Sequence, residues 1–242
     1  GLVGTLSNLG CKVKDSGDIR VLSHYTLRDT SLEKRLQPIA EACNQVYACG
    51  KQAMKNGEIP IFLGGDHSIS IGSIGGITHY SDCGVIWLDA HGDFNTPKSS
   101  HSGNVHGMGL ATLLGKGASE LVNVGRLGAK LDSSNVVLIG VRNLDEKERT
   151  LLKKSGCTVY TMRDIDEHGI HEILKRTLKK LAHLPRIHLS FDVDVVDPTE
   201  APGVGTPDKG GLTYRESQLI METIADTEKL GSLDIVEVNP IL

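Results

Sequence analysis

The sequence predicts an α/β fold of stacked βα units around a mostly parallel sheet. Short apolar runs alternate with amphipathic ones along the whole chain, and no repeat, low-complexity tract or long linker interrupts them. The 242 residues, 39% hydrophobic and 23% charged, are enough for one substantial core. A chain of this size removes roughly 70–75% of its unfolded surface from water, and α/β domains often reach it undivided. One domain over residues 1–242 is therefore expected.

The elements follow in order. Ile39, Ala42, Cys43, Val46, Cys49, Ala53 and Met54 share one helical stripe, which Asn56-Gly57 ends. Strands are expected at Ile61 to Leu63, Val85 to Leu88, Val136 to Val141, Thr158 to Met162, Ile187 to Val193 and Leu233 to Val238. They are short and apolar on both faces, as strands covered by helices on either side must be. Two later helices have readable starts, Asp145 with Glu148 and Thr213 with Glu216, each a cap with an acid three residues on.

Composition excludes several functions. Twenty-six Lys and Arg stand against 30 Asp and Glu, a net charge of −4, and the basic residues are scattered, which argues against a nucleic-acid or anionic-membrane surface. No apolar run approaches the ~18–20 residues that span a bilayer, and the opening GLVGTLSNLG lacks the basic region of a signal peptide. A cytoplasmic setting is expected. Cys11, Cys43, Cys49, Cys83 and Cys157 are odd in number, far apart and without a CxxC pair, so they read as reduced, buried and structural. The chain starts with Gly1 and not Met, as a fragment would.

The informative residues fall at strand ends, where ligands bind in open α/β sheets. One strand runs into Gly64-Gly65-Asp66-His67, another into Asp89-Ala90-His91-Gly92-Asp93, a third into Asp192-Val193-Asp194. Alone, each motif is usually a solvated turn or a loop start; joint placement on one rim is what speaks for a site. If His67, Asp89, His91, Asp93, Asp192 and Asp194 converge, four carboxylates repel one another unless cations sit among them. A pair of divalent ions balances that charge and lowers the pKa of a shared water toward roughly 7, the basis of a hydrolase. Fully extended, Asp89 and Asp93 would lie about 13 Å apart at ~3.3 Å per residue, so the backbone must curl, with Gly92 a residue that permits it. Four oxygen donors and two imidazoles suit Mn2+ first, with Fe2+, Co2+ or Ni2+ next.

At this point the sequence closely resembles the ureohydrolase family, in its bacterial-type arginase branch. The motifs are GGDHSIS (64–70), WLDAHGDFNTP (87–97), SGNVHG (102–107), SFDVDVVDP (190–198) and EVNP (237–240), in the family's order across nearly the whole chain. The resemblance implies a three-layer α/β/α fold with about eight mostly parallel strands, and two Mn2+ per subunit. His67, Asp89, Asp93 and Asp192 would hold one ion and Asp89, His91, Asp192 and Asp194 the other. The implied reaction is hydrolysis of the L-arginine guanidinium to L-ornithine and urea by a metal-bridging hydroxide. His106 then matches the proton-handling histidine, Asp194 a second proton route, and Glu237 the carboxylate that holds the guanidinium. Asn95, Ser100, Ser102 and Asn104 match positions that bind an α-carboxylate, and Asp145 one that reads an α-amino group. A homo-oligomer, trimer or hexamer, is implied as well.

Plainer readings stand beside these. His106 alone is a loop histidine, Asp145 caps a helix, Asn95 and the serines are turn residues, and Glu237 among apolar neighbours needs a cation or donor whatever its role. His24, His79, His101, His168, His171, His183 and His188 read as structural or surface residues, and APGVGTP (201–207) as a rigid turn that could shape the rim. The chain departs from the family in three ways. Val195 stands where relatives carry a glycine of unusual backbone angle, Gly92 where many carry Thr, and the first strand and last helix are absent. The alternatives to an arginase are an agmatinase or other guanidine or amidine hydrolase, and a catalytically silent member of the fold.

Overall fold

The computed structural model describes residues 1–22 and 30–241. Each of the six apolar runs forms a strand: β1 (Ile61–Leu63), β2 (Gly84–Leu88), β3 (Val136–Val141), β4 (Thr158–Thr161), β5 (Ile187–Asp192) and β6 (Leu230–Val236). All pair in parallel, in the order β1-β6-β5-β2-β3-β4. Among the described residues the sheet has six strands and not the eight expected. β6 begins three residues before its expected start, where Leu230 pairs with Ile187, and ends at Val236, before Glu237.

Alternation along β2 explains the layers. Val85 and Trp87 pack with Ile74, Ile77 and Leu110, while Ile86 and Leu88 pack with Ile173, Ile220 and Ile224. The helices Ser70–Ile77 and Gly109–Leu113 thus cover one face and Ile170–Lys180 and Tyr214–Ala225 the other. Each such fully buried aliphatic side chain contributes about 1.5–3 kcal/mol. β1 is the exception: at the sheet edge, Ile61 and Leu63 are exposed and only Phe62 packs into the core. Among the described residues, no helix is long and apolar enough to cross a membrane.

The first long helix runs Leu32–Asn56 and ends at Gly57 in the left-handed region, φ 72°, as Asn56-Gly57 predicts. Its buried residues are Leu36, Ala40, Cys43, Val46, Tyr47 and Gly50, a 4-3-4-3 stripe with Val46 beside it, and Cys43 and Tyr47 share one cluster with Ile71. Cys49 lies off that stripe and is exposed, as is Cys11, so burial holds for Cys43 and Cys83 only; all five thiols are free. The Thr213 cap forms in full, with Glu216 N donating to Thr213 Oγ1 and Thr213 N to Glu216 Oε2. His188 is buried in β5, His79 is bonded to Tyr47, and His101, His168, His171 and His183 are exposed; His24 lies outside the described residues.

Strand order places the site. The chain winds outward from β2 through β3 to β4, then returns to β5 and winds the other way to β6. The reversal lies between β2 and β5, and the crevice beyond their carboxyl ends is where such sheets bind ligands. Val195, the residue at odds with the family pattern, has no positive φ; it sits fully buried in the short 3-10 turn Val193–Val195. Gly140 makes its room. A Cβ there would collide with Val195 Cγ2, and its φ of +99° coincides with the register shift of β3 against β4.

Candidate metal centre and substrate cavity

Asp89 follows β2 and Asp192 ends β5, adjacent strands whose last paired residues are Leu88 and Phe191. Six side chains converge there. Asp89 Oδ2, Asp93 Oδ2 and Asp192 Oδ2 each lie 3.1 Å from His67 Nδ1. His91 Nδ1 lies 3.0 Å from Asp194 Oδ2 and 3.4 Å from Asp89 Oδ1. Two groups close enough to share an ion result, His67/Asp89/Asp93 and Asp89/His91/Asp194, with Asp89 in both. Asp192 falls in neither, although it borders His67, and its Oδ1 accepts from Asp194 N at 2.9 Å.

The backbone bends at Ala90 and His91, just after Asp89, and Asp93 takes a left-handed φ of 46°, while Gly92 has no positive φ. Gly92 is needed for space: a Cβ would come within 2.8 Å of Leu144 Cδ2 and 3.0 Å of Glu148 Oε1. Neighbours hold the donors in place. Trp87 Nε1 donates to Asp89 Oδ2 at 2.9 Å, His91 N to Asp89 Oδ1 at 2.7 Å, and Thr206 Oγ1 to Asp194 Oδ2 at 3.0 Å. Trp87 also stacks on the His67 ring at 4.1 Å. Ser190 Oγ meets His67 Nε2 at 2.9 Å, which turns Nδ1 to the carboxylates. Behind it, buried Asp234 accepts from Ser73 Oγ (2.7 Å) and His188 Nε2 (3.1 Å).

The electrostatics ask for cations. Burial, then the charge of Asp89, raises the carboxyls of Asp93, to about 6, and of Asp192, well above the usual range. Burial works against a charged imidazole, yet the carboxylates overcome it at His67 and push His91 up to about 12. Asp93 Oδ2 is buried without a hydrogen-bond partner. Hard carboxylate oxygens with two imidazoles fit divalent first-row ions, and ion binding would displace the imidazole protons.

His106 Nδ1 lies 2.9 Å from Glu237 Oε1, which also accepts from His67 N at 2.9 Å. The bond to Glu237 leads the causes that raise His106 to about 9, and His106 in turn overcomes burial to lower Glu237. Glu237 adopts φ 63°, a left-handed angle that costs a non-glycine residue of order 1 kcal/mol or more and that clusters at functional sites.

A cavity of about 180 Å³ joins these parts, bringing His91, Asp93, Asp192 and Asp194 together with His106, Asn95 and Asp145. Asn95 Nδ2 reaches Asp145 Oδ2 at 3.4 Å. Ser100, Ser102 and Asn104 are not in its walls: Ser100 Oγ accepts from Gly103 N and Ser102 Oγ from Asn104 N, within the loop joining Asn95 to His106. Asp145 stands at the N-cap of Glu146–Lys153, but its side chain makes no cap bond, so it is free for the cavity. Glu148 likewise does not return to the cap. It accepts from Phe94 N at 2.9 Å and lines the cavity with Asn143 and Thr206, three residues the sequence reading did not place in the site. Its position three residues after Asp145 was the available signal.

Burial pushes Glu148 up to about 7, Phe94 N opposing and the Asp93 and Asp89 charges adding to the rise. Such a group costs stability progressively as pH climbs from its ordinary 4.5 through 7. In the metal-free chain, Glu148→Gln is expected to change little below pH 4.5 and to stabilise above pH 7, where Gln keeps the Phe94 acceptor without the charge. The gain is on the order of 1–3 kcal/mol by urea unfolding. Equal differences at both pH values would contradict the assignment.

Comparison with known proteins decides the family. The Arginase family pattern matches residues 4–242. The chain is 44% identical over 246 residues to an arginase from Bacillus caldovelox, covering 100% of this chain and 82% of that protein. It belongs to the arginase family. The solved Bacillus caldovelox arginase matches all of this arginase-family chain and 82% of its own at TM-score 0.95 and 43% identity. An arginase from Bacillus subtilis is 45% identical over 242 residues, covering 100% of this chain and 81% of that protein. The Entamoeba histolytica arginase solved with L-ornithine is 32% identical, with TM-score 0.78 over 85% of this chain and 70% of that one.

Proposed function

We propose that the chain hydrolyses L-arginine to L-ornithine and urea at a binuclear manganese centre. Two buried donor groups sharing Asp89, in a chain that matches arginases over its whole length, carry this reading. By family resemblance, His67, Asp89, Asp93 and Asp192 would hold one ion and Asp89, His91, Asp192 and Asp194 the other. When bound, such a pair supplies the Lewis acidity that makes water a nucleophile at neutral pH. Glu237 orients the planar guanidinium by charge-assisted hydrogen bonds, with Oε2 left for it because His67 N and His106 Nδ1 both bond Oε1. His106, held protonated past neutrality by Glu237, donates the proton that the departing side-chain amine requires, with Asp194 as the alternative route.

Substrate choice rests on the far end of the cavity wall. Asp145 and Glu148 on the cavity wall supply negative charge for an α-ammonium, and Asn95 a neutral donor for an α-carboxylate; by family resemblance Ser100, Ser102 and Asn104, whose loop stands outside that wall, complete the carboxylate site. Agmatine lacks that carboxylate. Urea release after Mn2+ loading is expected to be faster from arginine than from agmatine; the reverse order would make this an agmatinase, and no release from either would favour the silent reading. By family resemblance we also infer a cytoplasmic homo-oligomer, trimer or hexamer, which light scattering checks; a monomer would contradict it.

A further inference from the structure

The segment between the APGVGTP turn and the helix Tyr214–Ala225 carries a carboxylate that the sequence reading passes over. Asp208 Oδ2 lies 3.0 Å from His91 Nε2, the ring nitrogen facing away from Asp89 and Asp194. Its neighbours fix it. Asn143 Nδ2 donates to the same oxygen at 3.0 Å, and Arg142 Nη2 donates to the Asp208 backbone oxygen at 2.8 Å and to that of Asp194 at 2.7 Å. Asp197 Oδ2 accepts from Gly210 N (2.7 Å) and Gly211 N (3.2 Å), pinning the far side of the turn.

A neutral imidazole has one N–H and one lone pair. A carboxylate accepts only, so Asp208 demands the N–H at Nε2 and leaves the lone pair at Nδ1, where Asp89 and Asp194 lie. His67 is held differently: its Nε2 meets the Ser190 hydroxyl, and the ring is buried on all sides. The His91 side chain is 25% exposed on the cavity wall, where water competes for its nitrogens, and a charged tether holds it better than a hydroxyl would. We propose that Asp208 is the positioning residue that makes His91 a ligand, so that the Asp89/His91/Asp194 ion depends on it and the His67 ion does not. This rests on the binuclear reading above.

The full-length chain is stripped with chelator and titrated with Mn2+ by calorimetry, with Asp208→Ala and Asp208→Asn alongside. Asp208→Ala is expected to weaken one of two binding events about 10–100-fold, the usual cost of losing such a partner, and to leave the other unchanged. Asp208→Asn, which keeps an acceptor for Nε2–H but not the charge, falls between. Melting of the metal-free proteins is expected to be the same, since the turn keeps its Arg142 and Asp197 ties. Two unchanged binding events in Asp208→Ala, or equal weakening of both with a lowered metal-free Tm, would overturn the positioning role alone. An unsubstituted chain that binds fewer than two ions would overturn the binuclear reading and this one with it.

Discussion

Asp89→Ala is expected to empty both ion positions: Asp89 belongs to both three-residue donor groups, whereas Asp192, the other ligand proposed for both ions, falls in neither. Each of its oxygens is already committed to a side: Oδ2 faces His67 Nδ1 and takes the Trp87 N–H, while Oδ1 faces His91 and takes its backbone N–H. A fully buried carboxylate anchored at both oxygens does not drift. A partner that merely orients a ligand is worth about 10–100-fold in affinity, so losing a ligand common to both ions costs at least about 100-fold at each. Urea release falls with the metal. Asp89→Asn keeps an acceptor for Trp87 and separates ligand loss from the ~1–3 kcal/mol of an unsatisfied buried indole N–H. Elemental analysis after dialysis reads the result; two ions retained in Asp89→Ala would contradict the shared-ligand assignment.

His106→Ala is expected to keep both ions and lose turnover. His106 touches neither donor group's lone pairs; its one hydrogen-bond partner in the site is Glu237 Oε1, and Glu237 keeps its bond from His67 N when the ring is removed. Raised to about 9 by Glu237, the ring enters the reaction as an acid at neutral pH. Removing a positioned acid typically loses ~10²–10⁴ in kcat. Steady-state kinetics with metal content measured on the same sample checks this. An unchanged kcat would refute the proton role, and lost metal with lost activity would make His106 a structural support instead.

Much of this site was legible because chemistry-bearing residues cluster at strand ends. Asp89, Asp192 and His67 follow apolar runs that become β2, β5 and β1, and parallel pairing carries those ends to one rim. What could not be read depended on tertiary partners. Glu148 has the spacing of a cap residue, but Phe94 N, 54 positions away, competes for its carboxylate and wins. Gly92 looked like the hinge because glycine tolerates unusual angles; the angle falls on Asp93, and Gly92 is there to let Leu144 and Glu148 approach. Asp208 and Thr206 sit on a turn whose residues reach the site only because Arg142 and Asp197 fold it over the end of β5. The altered family position, Val195, is accommodated by the missing side chain of Gly140 on the neighbouring chain segment, which no local pattern around residue 195 announces.

Crystals grown with Mn2+ and measured at the manganese absorption edge test the central claim most directly. Two anomalous peaks are expected about 3.5–4 Å apart, one among His67, Asp89, Asp93 and Asp192 and one among Asp89, His91, Asp192 and Asp194. A single peak, or density that leaves Asp89 out of either coordination sphere, would contradict it.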